Sequence, residues 1–401
     1  MRLLCLVPFS LSYILLFRGI YEKNQKIIKR LVSLVISIFI IVFSVTSLIL
    51  PDQKISLVEN RSLQQFPVIN LQTILDGSFE NDLATWFSDQ FLMRNGFIKF
   101  KYGISKFLGQ RKLEDVFLCR GRLIENVKNP NYEEMENNLQ AINCFSQKHS
   151  DLNTFFLLAP NAVLVQGDKL PWLADCKDQN KTMDSIYKEL DPNIKNIDIR
   201  KSMLEFQDEY LYYKTDHHWT SLGAFYAYRE FAKQVNNLEV NLLDYDSYVV
   251  DRNFHGTLSN KTGSFGIRDN ISILVQKNCD DYYVQNENDE IIGSIYNSSS
   301  LKSQDKYAVF LGGNKGIQRI EIDNDSDKHL LLIKDSYANT FVQFLLNDYR
   351  SITIIDPRYY LDDIEKVVQN DLITDVMYLY NANTFVEDTS IADVLGAQTY
   401  E

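Results

Sequence analysis

Hydrophobic and polar positions divide the chain into a uniformly apolar N-terminal stretch and a longer remainder in which helix-like and strand-like patterns alternate. Residues 31–50 carry no charge, and a helix needs ~20 apolar residues to cross a bilayer. We therefore predict a membrane span at 31–50 and assign residues 1–50 to a membrane anchor. Residues 3–17 form a second apolar segment, interrupted by Pro8. It is another span, an interfacial helix, or the product of a start codon placed too early.

Charges around this stretch predict its orientation. Lys23, Lys26, Lys29 and Arg30 precede it, and Asp52 follows it. Because basic flanks stay in the cytoplasm, we predict a single-pass protein in the cell membrane, with its C-terminal domain outside the cytoplasm. A cleaved signal peptide is the alternative, although the apolar run is long for one and no clear small-x-small cleavage site is present.

Beyond the anchor, residues 51–110 read as a tether and a helical lead-in, because a polar, turn-rich segment precedes apolar residues at helical spacing. Residues 116–118 and 123–124 predict a hairpin around Gly121. The remainder, 111–401, is predicted to be the main domain.

Helical and strand patterns alternate in this domain. The predicted helices are 135–147, 183–190, 222–235, 337–348 and 362–369. The predicted strands are 153–158, 197–199, 329–333, 351–355 and 376–380. This order predicts an α/β domain with a parallel sheet flanked by helices. Residues 249–316 are polar and loop-rich, and we predict an insertion or lid there.

Composition excludes some classes of function but does not identify one. The net charge of −12 argues against a nucleic-acid partner, since such proteins usually carry a basic patch. The 5 cysteines are sparse and form no CxxC motif, so we interpret them as thiols rather than a disulfide framework. We predict no metal site and no cofactor. Two adjacent histidines and a carboxylate could bind an ion, but neighbouring turn residues rarely point at one ion.

The chemistry concentrates in Asp216-His217-His218-Trp219, which holds two of only 5 histidines. A carboxylate that orients an imidazole is half of a Ser-His-Asp machine. Ser336 follows the strand predicted at 329–333 and opens a helix, where its backbone N–H would favour a developing oxyanion.

Further polar groups follow the strand ends, where catalytic groups collect in open parallel sheets. Asn381 follows the strand at 376–380, and its amide could donate to the same oxyanion. Tyr337, Asn383 and Arg358 complete the predicted oxyanion and substrate-binding set. The loop His255-Gly256-Thr257 could also contact substrate.

Structural explanations compete with each of these assignments. Asp216 to Trp219 could be a capped helix entry, Ser336 an ordinary helix-start serine, and Asn381 a turn residue. The functional interpretation rests on the conjunction of all the parts at strand ends and helix starts.

Four blocks of sequence carry a family resemblance. They are Asp216-His217-His218-Trp219, Phe310-Leu311-Gly312-Gly313-Asn314, Lys334-Asp335-Ser336-Tyr337 and Tyr380-Asn381. Together they resemble the DHHW family and the exported SGNH-hydrolase-like proteins of alginate O-acetylation. Because the Asp-His block precedes the serine, the resemblance implies a circularly permuted SGNH-hydrolase-like fold.

The resemblance also implies roles for individual residues. Ser336 matches the nucleophile, Asp216 the orienting carboxylate, and His218 the base, since the alginate proteins use Asp-x-His. His217 is the alternative base. Two positions depart from the pattern: Lys334 replaces a glycine, and Asp356-Pro357-Arg358 stands where a second glycine donor is expected.

The function implied is that of an exported, membrane-anchored O-acyltransferase (acetyl transfer) or esterase acting on cell-surface polysaccharide. A membrane-bound O-acyltransferase would be the partner that supplies the acyl group. The altered oxyanion positions favour a different class as the alternative: a catalytically inactive binding or scaffold protein for envelope polysaccharide assembly.

Overall fold

The computed structural model describes residues 27–42, 44–46, 49–56, 61–288 and 290–396 of the 401-residue chain. The chain separates into two units. The first comprises Met1–Ser56 and Arg61–Phe97, and the second comprises Leu57–Asn60 and Ile98–Glu401. The predicted apolar segment 3–17 and the basic residues Lys23 and Lys26 lie outside the described residues.

An apolar helix, α1, opens the first unit at Ile27–Thr46, with a mean hydropathy of 2.3. It lies slightly N-terminal to the predicted span at 31–50. It is long and apolar enough to cross a membrane, and a signal sequence near an N-terminus has the same properties.

The rest of the first unit is short strands and helices. Its elements are β1 Ile55–Ser56, β2 Arg61–Ser62, α2 Leu71–Leu75 and α3 Ser78–Asp89. Helix α4, Arg94–Phe107, begins in this unit and continues into the second. Trp86 organises the first unit, because its indole N–H donates to Asp52 Oδ2 at 2.8 Å and its ring packs edge-on against Phe66.

The second unit opens with a small sheet and then follows a helix–strand alternation. Up to the Asp-His-His-Trp segment its elements are β3 Lys112–Leu113, β4 Val116–Cys119, β5 Arg122–Glu125, α5 Tyr132–Lys148, β6 Asn153–Ala159, α6 Ala162–Val165, α7 Gln179–Glu189, β7 Ile194–Asn196 and α8 Arg200–Glu205. After that segment come α9 Ser221–Asn236, β8 Tyr245–Phe254, α10 Thr257–Thr262, β9 Asp269–Gln276, β10 Tyr282–Gln285, β11 Ile291–Ile292 and β12 Ile317–Ile322. The chain ends with β13 His329–Lys334, α11 Ala338–Phe341, β14 Ser351–Ile355, α12 Ile364–Asn370, β15 Asp375–Asn381, α13 Ala382–Phe385 and α14 Ile391–Val394.

The main sheet has the strand order β11-β10-β12-β14-β13-β15-β6-β7. The strands from β14 to β7 run parallel to one another, and β10, β11 and β12 join antiparallel. The fold is therefore the predicted α/β sheet, rich in parallel strands and flanked by helices.

Side chains alternate between the two faces of the sheet, as the strand period requires. Leu330 and Leu332 pack into the apolar cluster that contains α9, whereas Leu331 and Ile333 pack into the cluster that contains α5 and α12. Because both faces are covered, the central strands read as continuous apolar runs.

Two predicted elements are wrong. The strand predicted at 197–199 lies at Ile194–Asn196 instead, because the Asp198 side chain accepts the N–H of Arg200 at 3.0 Å and turns the chain towards α8. The helix predicted at 337–348 ends at Phe341 and tightens into a 3₁₀ turn over Val342–Phe344. There the Gln343 side chain donates to the carbonyl of Thr340.

The segment 249–316, predicted as loop-rich, starts inside β8 and contains α10, β9, β10 and β11. β8 and β9 form a separate antiparallel pair, and β10 extends the main sheet beside β12. Two 3₁₀ turns, Ser298–Lys302 and Lys306–Val309, complete it.

Candidate active site

Ser336 lies two residues beyond the end of β13, at the carboxyl edge of the parallel sheet. The register pairs Lys334 with Leu379 of β15, and continuing it by two residues sets Asn381 beside Ser336. Asp335 fixes this arrangement, because its N–H donates to the Leu379 carbonyl and its Oδ2 accepts the Asn381 N–H at 2.9 Å. The neighbouring strand ends therefore hold the serine turn rigidly.

The Asp-His-His-Trp turn leads into α9. Tyr212 and Trp219 form an isolated antiparallel bridge across it, and Thr220 caps α9 by accepting the N–H of Gly223 at 3.3 Å. Inside the turn, Asp216 Oδ1 accepts the backbone N–H of His218 at 3.0 Å. This local hydrogen bond bends the chain so that the side chains of Asp216 and His218 meet.

His218 connects the two turns. Its Nδ1 lies 2.5 Å from Asp216 Oδ1, and its Nε2 lies 2.7 Å from Ser336 Oγ. Asp216 and His218 are buried, with exposed fractions of 2% and 5%, and Ser336 is half-buried. The structure thus brings together the three residues that the sequence singled out, in the geometry of a Ser-His-Asp triad.

Burial and neighbouring groups together set the charge states of His218 and Asp216. Burial lowers the pKa of His218 to about 4, and the neighbouring His217 acts in the same direction. Burial alone would raise the pKa of Asp216, but its two histidine neighbours and its hydrogen bonds lower that pKa overall. A neutral imidazole beside an ionised carboxylate can accept a proton from a serine hydroxyl.

The second oxygen of Asp216 is held by the loop that opens α10. Asp216 Oδ2 accepts the N–H of Thr257 at 2.7 Å and its hydroxyl at 3.0 Å. Gly256 lies so close that a Cβ there would overlap the Asp216 side chain. The loop at 255–257, predicted to contact substrate, thus supports the carboxylate through Thr257.

His217, the alternative base, points elsewhere. Its Nδ1 lies 2.7 Å from Thr257 Oγ1 and 3.8 Å from Asp216 Oδ1. Asp216, His217 and His218 offer donor atoms within 4.8 Å of one another, but the closest two, on Asp216 and His218, already bond each other.

Aromatic residues join the two turns. The Trp219 indole N–H donates to the Tyr337 carbonyl at 3.0 Å, and the Tyr337 hydroxyl donates to the His217 carbonyl. Tyr337 is fully buried. Its side chain therefore packs in the wall of the site, with its hydroxyl already bonded to the His217 carbonyl.

Tyr307 was not predicted from the sequence. Its ring stacks on the His218 imidazole with centroids 3.8 Å apart and planes 12° apart. Its hydroxyl lies 2.7 Å from Thr340 Oγ1 and donates to the Ser336 carbonyl at 3.2 Å. None of the four sequence blocks includes this tyrosine, which lies on the short 3₁₀ turn Lys306–Val309, 29 residues before Ser336.

Two donors near Ser336 are uncommitted. Among the residues that the structure describes, none accepts a hydrogen bond from the Ser336 backbone N–H, and Asn381 Nδ2 is buried without a partner. Asn381 Oδ1 accepts N–H groups of Asn383 and Thr384, which leaves the NH₂ group as the available end of the amide. Both donors could serve an oxyanion.

The other predicted substrate contacts are already engaged. The Asn383 amide accepts from Lys128 N–H and donates to Glu125 and to the Asn126 carbonyl, so its groups hold the loop structure. Arg358 binds Asp356 through two hydrogen bonds of 2.8 and 2.7 Å.

The two departures from the family pattern form one buried ion network. Lys334 Nζ lies 3.2 Å from Asp356 Oδ2 and 3.0 Å from Asn314 Oδ1. Burial lowers the pKa of Lys334 and would raise that of Asp356, but Lys334 and Arg358 lower the pKa of Asp356 overall. Lys334 thus pairs with the carboxylate at the second departing position.

A cleft of about 400 Å³ opens beside these groups. His217, Arg358 and Asn381 line it, together with Glu125, Lys128 and the segment 387–390. Its walls are rich in polar groups.

Comparisons with known proteins agree with this fold. The model of the DHHW protein family matches residues 59–170 and 157–355. A DHHW family protein from Eubacterium siraeum has 22% sequence identity and a TM-score of 0.60, over 72% of this chain and 99% of its own. No curated protein sequence matches the chain.

Two structures of PatB1 from Bacillus cereus are also similar. One, with a sulfonyl adduct, shows 20% identity and a TM-score of 0.59, over 70% of this chain and 97% of its own. The other shows 23% identity and a TM-score of 0.57, over 68% and 98%. At these identities the likeness concerns the fold alone, an α/β fold with a parallel-rich sheet flanked by helices. Since the family model matches more than half of the sequence, the chain belongs to the DHHW protein family.

Proposed function

We propose that this protein is an O-acyltransferase, transferring an acetyl group to hydroxyls of a cell-surface polysaccharide through Ser336, His218 and Asp216. The observation that carries the proposal is the His218 imidazole, hydrogen-bonded on one side to a buried carboxylate and on the other to a serine hydroxyl. The acetyl group and the polysaccharide come from the family resemblance.

In the first half-reaction, His218 Nε2 takes the proton of Ser336 Oγ while that oxygen attacks the acyl carbonyl carbon. Asp216 stabilises the imidazolium that forms. The Ser336 N–H and Asn381 Nδ2 donate hydrogen bonds to the carbonyl oxygen and stabilise the negative charge that develops on it. The tetrahedral intermediate then expels the donor's leaving group, which takes the proton from His218, and an acyl-serine remains.

In the second half-reaction a sugar hydroxyl gives its proton to His218 and attacks the acyl-serine carbonyl. Collapse of that intermediate forms the sugar ester and returns the proton to Ser336 Oγ. If water takes the place of the sugar, the protein acts as an esterase.

The cellular arrangement belongs to the same proposal. Helix α1 would anchor the protein in the cell membrane with the second unit outside the cytoplasm. A membrane-bound O-acyltransferase would supply the acyl group to Ser336. The proposed cycle needs no metal or cofactor.

Covalent labelling tests the nucleophile. A sulfonyl fluoride should modify wild-type protein at Ser336, identified by peptide mass spectrometry, and the reagent suits the comparison because PatB1 carries a sulfonyl adduct. Ser336→Ala should abolish the label, and His218→Ala should slow it strongly. Absence of labelling in well-folded wild-type protein would instead favour the inactive scaffold, which the altered positions at Lys334 and Arg358 also allow.

A further inference from the structure

The cleft beside the triad has an uneven charge balance. Its charged lining residues are Glu125, Lys128, Arg358, Glu387 and Asp388, which is three carboxylates against two cations. The Asn381 amide, proposed above to bind the oxyanion, lies in the same cleft, so whatever occupies the cleft lies next to the reacting centre.

Both cations already have carboxylate partners. Lys128 Nζ lies 3.1 Å from Asp115 Oδ2 and 3.6 Å from Glu387 Oε2. Arg358 is held by the fully buried Asp356, which it shares with Lys334. A ligand carboxylate that binds either cation must therefore compete with the protein carboxylate already paired to that cation.

Among the described residues, Glu125 and Asp388 form no ion pair at contact distance, although Glu125 is near enough to Lys128 to help raise the pKa of that lysine. Glu125 accepts a hydrogen bond only from the Asn383 amide, at 3.2 Å, among the described residues. Asp388 uses Oδ1 to accept the N–H groups of Ser390 and Ile391, while its Oδ2 is buried without a partner. Buried polar atoms rarely stay unpaired. Asp388 Oδ2 is therefore available to accept a hydrogen bond, either from a ligand hydroxyl or from a water molecule bound to the ligand.

We infer that this cleft is the acceptor subsite and that it selects an uncharged, hydroxyl-rich glycan over one built from uronic acids. Asp388 and Glu125 accept sugar hydroxyls, and their charge repels a sugar carboxylate. The inference rests on the proposed function for the role of the cleft as an acceptor site, but the selectivity concerns binding alone.

Binding to the full-length Ser336→Ala protein separates selectivity from catalysis. The probes are an N-acetylglucosamine tetramer and a galacturonic acid tetramer, measured by titration calorimetry. We expect the neutral tetramer to bind at least about tenfold more tightly. Added salt should strengthen binding of the anionic tetramer, because screening weakens repulsion, and should leave the neutral one unchanged.

An isosteric variant sharpens the test. Glu125→Gln keeps an acceptor for Asn383 and removes one charge from the cleft. It should improve binding of the galacturonic acid tetramer by about fivefold, roughly the effect of one unit charge at ~4 Å in water. Asp393→Asn is the matched control, because Asp393 is exposed on α14, outside the cleft, and carries the same charge.

Equal or tighter binding of the anionic tetramer would overturn the inference, and so would failure of both tetramers to bind. An equal response of Glu125→Gln and Asp393→Asn would overturn it too. If the neutral tetramer binds selectively while Ser336 cannot be labelled, the subsite stands and the catalytic proposal fails.

Discussion

His218 is the residue on which the proposed chemistry depends. It lies between Asp216 and Ser336, and the Tyr307 ring covers one face of its imidazole. His217, one position earlier, contacts Thr257 and borders the cleft. In this turn, residues two apart share a side, and the residue between them projects away.

Replacing the two histidines separately should distinguish their roles. We expect His218→Ala to lower the turnover of an acetyl ester by several powers of ten, as for loss of a triad member. His217→Ala should keep measurable turnover. Steady-state kinetics on purified protein measure both, and the reverse ranking would make His217 the base.

The acid limb of the pH–activity profile should lie at a lower pH than is usual for a histidine base. The proposed base must be neutral, and burial lowers the pKa of His218 to about 4, below the usual histidine value. Ester hydrolysis should therefore be retained at pH values well above 4 and be lost as pH falls through about 4. A kcat/KM profile gives this value, with circular dichroism at each pH to separate loss of folding. A limb near 6.5 would contradict the assigned burial effect.

At the scale of elements, the segment 249–316 supports the triad from both sides. The start of α10 supplies Thr257 to Asp216, and the 3₁₀ turn Lys306–Val309 supplies Tyr307 to His218. Its polar composition predicted an insertion or a lid, and the structure shows it in contact with both Asp216 and His218. The segment thus fixes orientation, which matters because small misplacements of catalytic groups are costly.

Gly256→Ala should disable this support. A Cβ at this position would overlap the Asp216 side chain, so the carboxylate or the α10 loop must move. A shift of about 1 Å can lower the rate about 100-fold, and we expect at least that loss in kcat. Gly266→Ala is the matched control, because a Cβ there meets no atom within 4 Å. Similar kinetics for the two variants would show that Asp216 tolerates displacement.

At the scale of the whole molecule, the chain joins an apolar helix, α1, to a unit that contains all the proposed catalytic groups. Asp216 and His218 are neighbours in one turn, whereas Ser336 lies 118 residues beyond His218 in the sequence and meets it only at the carboxyl edge of the sheet. Under the proposed function, an anchor would keep the protein at the membrane that holds its acyl donor.

Membrane association tests the anchor. The protein expressed with residues 1–50 should remain in the membrane fraction after washing with carbonate or high salt, because a 20-residue apolar helix resists extraction. Immunoblotting of the fractions measures this, with a form lacking residues 1–50 as the soluble control. A soluble product with its N-terminus near residue 51 would identify a cleaved signal sequence.

The sequence by itself determined where the central strands lie along the chain. Strand Ser351–Ile355 has the predicted bounds, β13 is one residue longer at its C-terminal end, and β15 is one residue longer at each end. These strands are predictable because strands buried on both faces have continuous apolar runs. It also singled out Ser336 and Asp216-x-His218, since the family motif and the strand-end rule pointed to the same places.

Only the tertiary structure decided which side chains contact Ser336, His218 and Asp216 and hold them in place. Tyr307 and Thr257 reach the triad through long-range packing, which leaves no local pattern in the chain. Strand neighbours likewise decide that Lys334 pairs with Asp356 and that the NH₂ group of Asn381 has no partner among the described residues. Local periodicity predicts elements, but burial and partner choice belong to the assembled fold.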